Sequence, residues 1–532
     1  MADNVRVAVV NESVHPVSNL LFGQFLERPS WHGETGPEAA MLPDSGSIDQ
    51  RVEALLRKMD ILLVRFPGGT DVDYLDWRDM VSSAHNVDER RPISRGHSGQ
   101  AITNAFGYDE FFRLAADLNW QTILVINLRD GMLTSKTPDK AAEHAAALLA
   151  YCTGTQATVP ESLSNWPALR ATNGHPDPYQ VDYVQIGNES WFWTQLMQDK
   201  HGEDWITEWA DITETFIAAL RRVQPDIKLI VDAHPLEVTA ELERRQAGIN
   251  LYALHRYYPM SIERLIDTNG EDVLIESVTP QQVWDTLVHS TETNEDGLAQ
   301  WHDRAIDHSR RLDYKLAFTE WNLNAWWSLP RRDELWPGYG ACGLGAAIML
   351  NAMIREGDVF ALATQSMLIG QSWGITGIRV DPTQKQAPFI MPTAEVVTLY
   401  NHHHGDRRLP VYYKAQPPLW QASIHFRADQ LRKDAAVVDI VATRSRDNIF
   451  IHAINTDFQK PYKLTAQLKE FQTPPTRAIF HCLHFHTQAE QTATNVWANL
   501  RVEEASVDNT SVSVTLPPRS AGVIVVDLAD ER

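Results

Sequence analysis

Cysteine is scarce in this 532-residue chain: Cys152, Cys342 and Cys482 are widely separated and odd in number. They support neither a disulfide framework nor a CxxC metal site, and a reducing compartment suits them. No run of about eighteen apolar residues occurs, so no membrane-spanning helix is expected. The opening MADNVRVAVVNESVHPV has no basic stretch followed by an apolar core, so no secretory signal is read and a cytoplasmic location is expected. Basic residues are also in deficit. Against 69 Asp and Glu stand 47 Lys and Arg, a formal charge of −22, and no Lys/Arg cluster could line up on phosphates. Nucleic acid and anionic membrane are poor partners for such a chain, and a neutral substrate suits it better. Low-complexity tracts and repeats at solenoid periods are missing. So are GxGxxG, the mark of a dinucleotide-binding doubly wound sheet, and HExxH, the mark of a zinc hydrolase helix.

What is present is the composition of a globular protein, with 43% hydrophobic and 22% charged residues. The length exceeds one usual hydrophobic core, which predicts a large and a small domain. From about residue 20 to 395, short β-rich apolar runs alternate with helix-patterned stretches, as in consecutive βα units. Eight strands are predicted, at 20–27, 61–67, 122–128, 181–188, 228–234, 249–257, 315–321 and 361–369. Helical spacing is clearest in DEFFRLAADLN, DKAAEHAAALLAYC and DWITEWADITETFIAALRRV. Eight βα units predict a (β/α)8 barrel over 20–398. After about residue 400, VVDIVATRS, NIFIHAINT, YKLTAQL, RAIFHCLHF, VSVTLPP and GVIVVDL alternate between turn residues. An antiparallel β-sandwich over 399–532 is predicted from them, joined by a strand from residues 1–19 that contains VRVAVV.

Barrels of this kind carry their chemistry at the C-terminal ends of the strands. The fourth predicted strand ends in Gly187-Asn188-Glu189 and the seventh in Thr319-Glu320-Trp321. Two carboxylates on opposite sides of the ring can face one cleft. That is what glycoside hydrolysis requires: a proton donor to the leaving oxygen and, in a retaining enzyme, a nucleophile about 5–5.5 Å away. The pocket must keep one carboxyl protonated and the other ionised. Trp191 beside Glu189, and Trp321, Trp326 and Trp327 around Glu320, suit sugar stacking or pack under loops. Other strand ends offer Glu27, Arg28, Arg65, Asn127, Arg129, His234, His255 and Tyr257, with Gln365 in the eighth strand and Gln371 beyond it. Arg65, on an otherwise apolar strand, could orient a carboxylate by a bidentate bond or form a structural ion pair.

The pieces FGQFLE (22–27), VRFPGGTDVDYLDWRDMV (64–81), VDYVQIGNE (181–189), LYALHRYY (251–258) and FTEWN (318–322) resemble the family 51 α-L-arabinofuranosidases of glycoside hydrolase clan A. Their order runs through the whole barrel, and a following sandwich agrees with that family's architecture. The resemblance implies Glu189 as acid/base, Glu320 as nucleophile, and Glu27, Arg65, Asn188, His255 and Tyr257 around the cleaved sugar. Trp31, Thr70, Trp191 and Gln365 complete the candidate substrate contacts, with Gln371 the alternative to Gln365. It also implies exo-acting release of terminal arabinofuranosyl groups from a neutral oligosaccharide, no cofactor or metal, and a trimer or hexamer. Departures lie in the loop 28–36 and at Thr70, where the family commonly has Asn or Cys. They bear on the sugar, so a clan A enzyme for a pyranoside or glucan is the alternative. A non-catalytic carbohydrate-binding barrel would have little need for the apposed glutamates. A metal-dependent hydrolase would rest on the 20 histidines, including His402-His403-His404, which are read as a solvated loop at the domain boundary.

Overall fold

The computed structural model describes residues 3–529 except 31, 43–45, 82–90, 135, 291–298, 373, 427–433 and 492–496. Eight parallel strands close into a barrel in chain order: Gly23–Phe25, Leu63–Phe66, Gln121–Ile126, Tyr183–Ile186, Lys228–Asp232, Leu251–Tyr257, Lys315–Asn322 and Phe360–Ser366. Each matches a predicted run, shorter at most ends. Residues 20–22, predicted as the start of the first strand, instead belong to the 3-10 turn Asn19–Phe22, with Ser18 accepting the Leu20 N–H. The polar cap outcompetes the β propensity of LLF there. Leu63, Ile123, Tyr183, Ile230, Leu251, Ala253, Ala317 and Leu362 fill the barrel interior, so the strands enclose a packed core and leave the chemistry to the rim.

The helices bury their apolar faces against the outside of the strands. In Pro138–Thr153 a Thr137 cap and Pro138 in the first turn set the start. Ala142, Ala145, Ala146, Leu149 and Cys152 then recur at helical spacing on the buried side. Trp205–Val223 buries Trp209, Ile212, Phe216 and Leu220 in the same way. Among the described residues, no helix is long and apolar enough to cross a membrane.

Beyond the barrel stand two sheets with their own apolar core of Val5, Val7, Val9, Ile440, Ile451, Leu464, Phe480, Val514 and Ile524, among others. The strand Asp3–Val10 joins the five-stranded sheet, antiparallel to Val411–Tyr413 and parallel to Tyr462–Lys469. That one parallel pair departs from an all-antiparallel sandwich. A strand arriving from the other end of the chain is not bound by a hairpin to run antiparallel. The last barrel helix, Pro392–His402, continues past the expected boundary at 398. The triple histidine is only partly solvated: His402 is exposed at the end of that helix, while His403 and His404 are half-buried. His403 packs at a tilt against His481 with ring centroids 4.0 Å apart, His404 packs on Phe22 at 4.6 Å, and Tyr400 meets the buried His452 at 4.5 Å. These rings form a seam between the barrel and the six-stranded sheet.

Candidate active site

Arg65, on the second strand, is fully buried, and each guanidinium nitrogen has a partner from another strand. Nη1 donates to Glu320 Oε1 at 2.8 Å, Nη2 to Asn188 Oδ1 at 2.7 Å and Nε to Gln185 Oε1 at 2.8 Å. The flat face lies over the Phe25 ring, 4.6 Å from its centroid. A buried guanidinium must find such partners or bear a large desolvation cost. Arg65 therefore braces the first, second, fourth and seventh strands. Tyr257, at the end of the sixth strand, adds a second donor to Glu320, with its hydroxyl 2.6 Å from Oε2 and 2.7 Å from Ser366 Oγ. Two converging donors stabilise negative charge on Glu320.

Glu189 reaches the same place by a sharp turn. Gly187 has φ +82° and Glu189 itself sits in the left-handed region at φ 50°, ψ 36°, before the 3-10 turn Ser190–Trp193. A non-glycine residue held there stores strain that the surroundings must offset. Asp232, ending the fifth strand, does so: its carboxylate accepts the Ser190 N–H at 2.8 Å and hydroxyl at 2.6 Å. Burial pushes the Glu189 carboxyl up to about 7, against the pull of Arg65. A carboxyl at that value is divided between acid and base near neutral pH. His255 stands between the two glutamates, with Nδ1 3.1 Å from Glu189 Oε1 and 3.5 Å from Glu320 Oε1, and Nε2 2.9 Å from Thr319 Oγ1. Burial lowers it to about 4, so it is neutral. Facing two carboxylate oxygens, Nδ1 is the nitrogen that carries the proton.

Oxygens of Glu189 and Glu320 and a ring nitrogen of His255 lie within 4.8 Å of one another. This spacing belongs with a retaining pair and is well short of the roughly 6.5–9.5 Å of inverting ones. The same atoms could face a cation, but the Arg65 guanidinium and the Tyr257 hydroxyl already occupy Glu320 and oppose positive charge there.

Two lobes meet at Glu189. One, of about 640 Å³, is lined by Glu27, Thr70, Tyr257, Glu320 and loop residues including His32, His97, Ser98, Asn324 and Trp326. Glu27 is buried, and burial with Glu320 and Asp71 nearby raises its carboxyl well above the usual range. Gly69 has φ +27°, and a Cβ on it would stand 1.7 Å from Glu27 Oε1. The glycine thus lets the loop after the second strand close on that carboxyl. The other lobe, of about 680 Å³, is lined by Trp191, Phe192, His234, Glu237, His255 and Arg256, among others.

Of the residues expected around the sugar, Glu27, Arg65, Thr70, Asn188, His255 and Tyr257 gather at Glu189 and Glu320, and Trp191 lines the second lobe. Trp31 lies outside the described residues. Gln365 is corrected: it is buried on the outer side of the eighth strand, accepting from Gln24 Nε2 at 3.3 Å and donating at 3.3 Å to Thr393 O on the helix Pro392–His402. Successive strand residues alternate faces, so with Leu362 and Ser366 turned inward Gln365 points out towards the helix layer. Gln371 instead helps fasten the loop 28–36, since its backbone N–H, with those of Thr35, Gly36 and Ser372, donates to the buried Glu34 carboxylate. Sequence reasoning missed Asp232, Gln185, Thr319 and Ser366. Polar residues inside apolar strand runs were the available signal.

Residues 55–267 match the alpha-L-arabinofuranosidase 1 domain. The match spans the second to sixth barrel strands and makes the chain similar to the α-L-arabinofuranosidases over those residues. Alpha-L-arabinofuranosidase C of Emericella nidulans is 26% identical over 227 residues, 42% of this chain and 39% of that relative. Alpha-L-arabinofuranosidase 2 of Arabidopsis thaliana is 29% identical over 195 residues, 34% of this chain and 25% of that relative. The chain thus spans two-fifths or less of the length of these curated relatives. Across its whole length it superposes on the arabinose complex of the α-L-arabinofuranosidase from Thermotoga maritima, with a TM-score of 0.71, 20% identity, and 99% and 100% of the two chains covered. That likeness establishes the barrel with its sandwich.

Proposed function

We propose that the protein is a retaining, exo-acting family 51 glycoside hydrolase that releases terminal non-reducing α-L-arabinofuranosyl groups from neutral oligosaccharides. The observation that carries this reading is the Glu189–Glu320 pair, closely spaced and held in unlike environments: Glu189 raised towards neutrality by burial, Glu320 between Arg65 and Tyr257. The family match supports the sugar.

In the first step Glu320 attacks the anomeric carbon as the glycosidic C–O bond breaks, and Glu189 gives its proton to the leaving oxygen. In the second, Glu189 removes a proton from water, which displaces the Glu320 carboxylate and restores the starting configuration. Asn188 and the Glu27 carboxyl offer hydrogen bonds to the sugar hydroxyls. His255 orients Glu189. The test is a panel of aryl glycosides covering arabinofuranoside, pyranosides and β-glucans. Turnover of the α-L-arabinofuranoside is expected; turnover of a pyranoside without it would overturn the sugar while leaving the chemistry intact.

The same reading assigns residues 20–398 to the catalytic barrel and 399–532 with the strand from 1–19 to the sandwich, the last barrel helix running on to His402. Their separate apolar cores support that division. A reducing cytoplasm is supported by the three free, buried cysteines. A trimer or hexamer follows from the resemblance alone, and a monomer in light scattering would contradict it.

A further inference from the structure

The lobe on the far side of Glu189 shares His255 and Tyr257 with the site but is lined by neither Glu320 nor Glu27, yet it is as large as the one that is. An acid that protonates a leaving oxygen stands between the departing group and the sugar that stays on the enzyme. If the sugar occupies the lobe of Glu27 and Glu320, the departing group must enter the lobe of Phe192. Phe192 is 71% exposed, an unusual setting for a phenyl ring, because it leaves apolar surface in water. It is nevertheless well fixed. Its N–H donates to the Glu189 carbonyl at 3.1 Å, and its ring leans on Trp191, centroids 6.0 Å apart, which in turn meets His255 edge-on at 5.2 Å. Pro235, Leu236 and Met260 continue an apolar floor, while Thr194, Glu237 and Arg304 supply polar groups beside it. A surface with an aromatic platform and a polar surround suits a ring with one CH face and several hydroxyls. A small alcohol would leave most of it unused.

We infer that this lobe receives a saccharide leaving group and that Phe192 is the specificity-determining platform on which its sugar ring stacks. The inference rests on the glycosidase reading above. Because Phe192 lies one turn from Glu189, stacking there sets the leaving oxygen against the acid.

Two substrates with one glycone separate the lobes: an arabinofuranosyl-capped oligosaccharide, whose leaving group is a saccharide, and α-L-arabinofuranosyl fluoride, whose leaving group fills none of the second lobe. Phe192→Ala should lower kcat/KM for the oligosaccharide about tenfold, through KM, and leave the fluoride unchanged. Phe192→Trp should restore the oligosaccharide. The free leaving saccharide should inhibit the wild type competitively and the alanine variant less well. Equal losses on both substrates would mean that Phe192 only supports the Glu189 turn, and an unchanged oligosaccharide would mean that the platform is unused; either overturns the inference. If the wild type turns over neither arabinofuranoside, the proposed sugar fails instead, and the same pair built on the sugar found by the panel tests Phe192.

Discussion

Glu189 and Glu320 differ in what surrounds them more than in what they are. Truncating Glu320 to Ala should abolish turnover. Glu189→Ala should mainly slow substrates with poor leaving groups, because proton donation matters least when the leaving group is already acidic. Equal losses on good and poor leaving groups would contradict that role. Tyr257→Phe removes one donor from a charged acceptor and should cost roughly ten- to a hundredfold in kcat, read from steady-state rates. The raised Glu189 carboxyl also fixes a limb of the pH profile. Its protonated form is the reactive one, so kcat/KM should fall as pH rises through about 7. Glu189→Gln should remove that limb. Much of this site was legible as polar residues at the ends of apolar runs, which is how Glu27, Arg65, Asn188, His255 and Tyr257 were found. Gln365 was misplaced because the alternation along its strand turns it outward, to Thr393 of the last helix, while its neighbour Ser366 faces the site. Asp232 and Thr319 were missed because their partners come from neighbouring strands, a relation that local pattern does not encode.

At the level of elements, the loop after the second strand is closely packed at its two glycines. Its two glycines hold φ of +83° and +27°, and a Cβ on Gly68 would meet the Phe25 ring at 1.6 Å. Gly69→Ala should displace the Glu27 carboxyl and raise KM for the preferred glycoside, with a lowered Tm in the same protein. An alanine variant with unchanged KM would show that Glu27 does not touch the sugar. All eight barrel strands were readable, because parallel strands buried on both faces appear as continuous apolar runs. Their ends were less so, since a cap such as Ser18 shortens a strand without altering its apolar character.

For the whole molecule, the histidine seam ties barrel to sandwich. Burial is the main cause that lowers His452 to about 3 and His403 to about 4, with neighbouring histidines adding to it. Both bind protons less readily folded than unfolded, where a histidine titrates near 6.5. Their contribution to stability is therefore complete above about pH 6.5 and is lost as pH falls from there towards 4 and 3. Thermal melts across that window should show Tm falling with pH, and His452→Leu should flatten the fall; an identical slope in the variant would remove the seam from the account. The triple histidine looked like a solvated loop because nothing local reveals that His481 and His452 arrive from the other domain to meet it.

The most direct measurement of the central claim is proton NMR of the first sugar released. Double displacement by Glu320 and Glu189 predicts that the initial product keeps the anomeric configuration of the substrate and mutarotates only later. Initial release of the inverted anomer would contradict the assignment of Glu320 as nucleophile, and the account of the site with it.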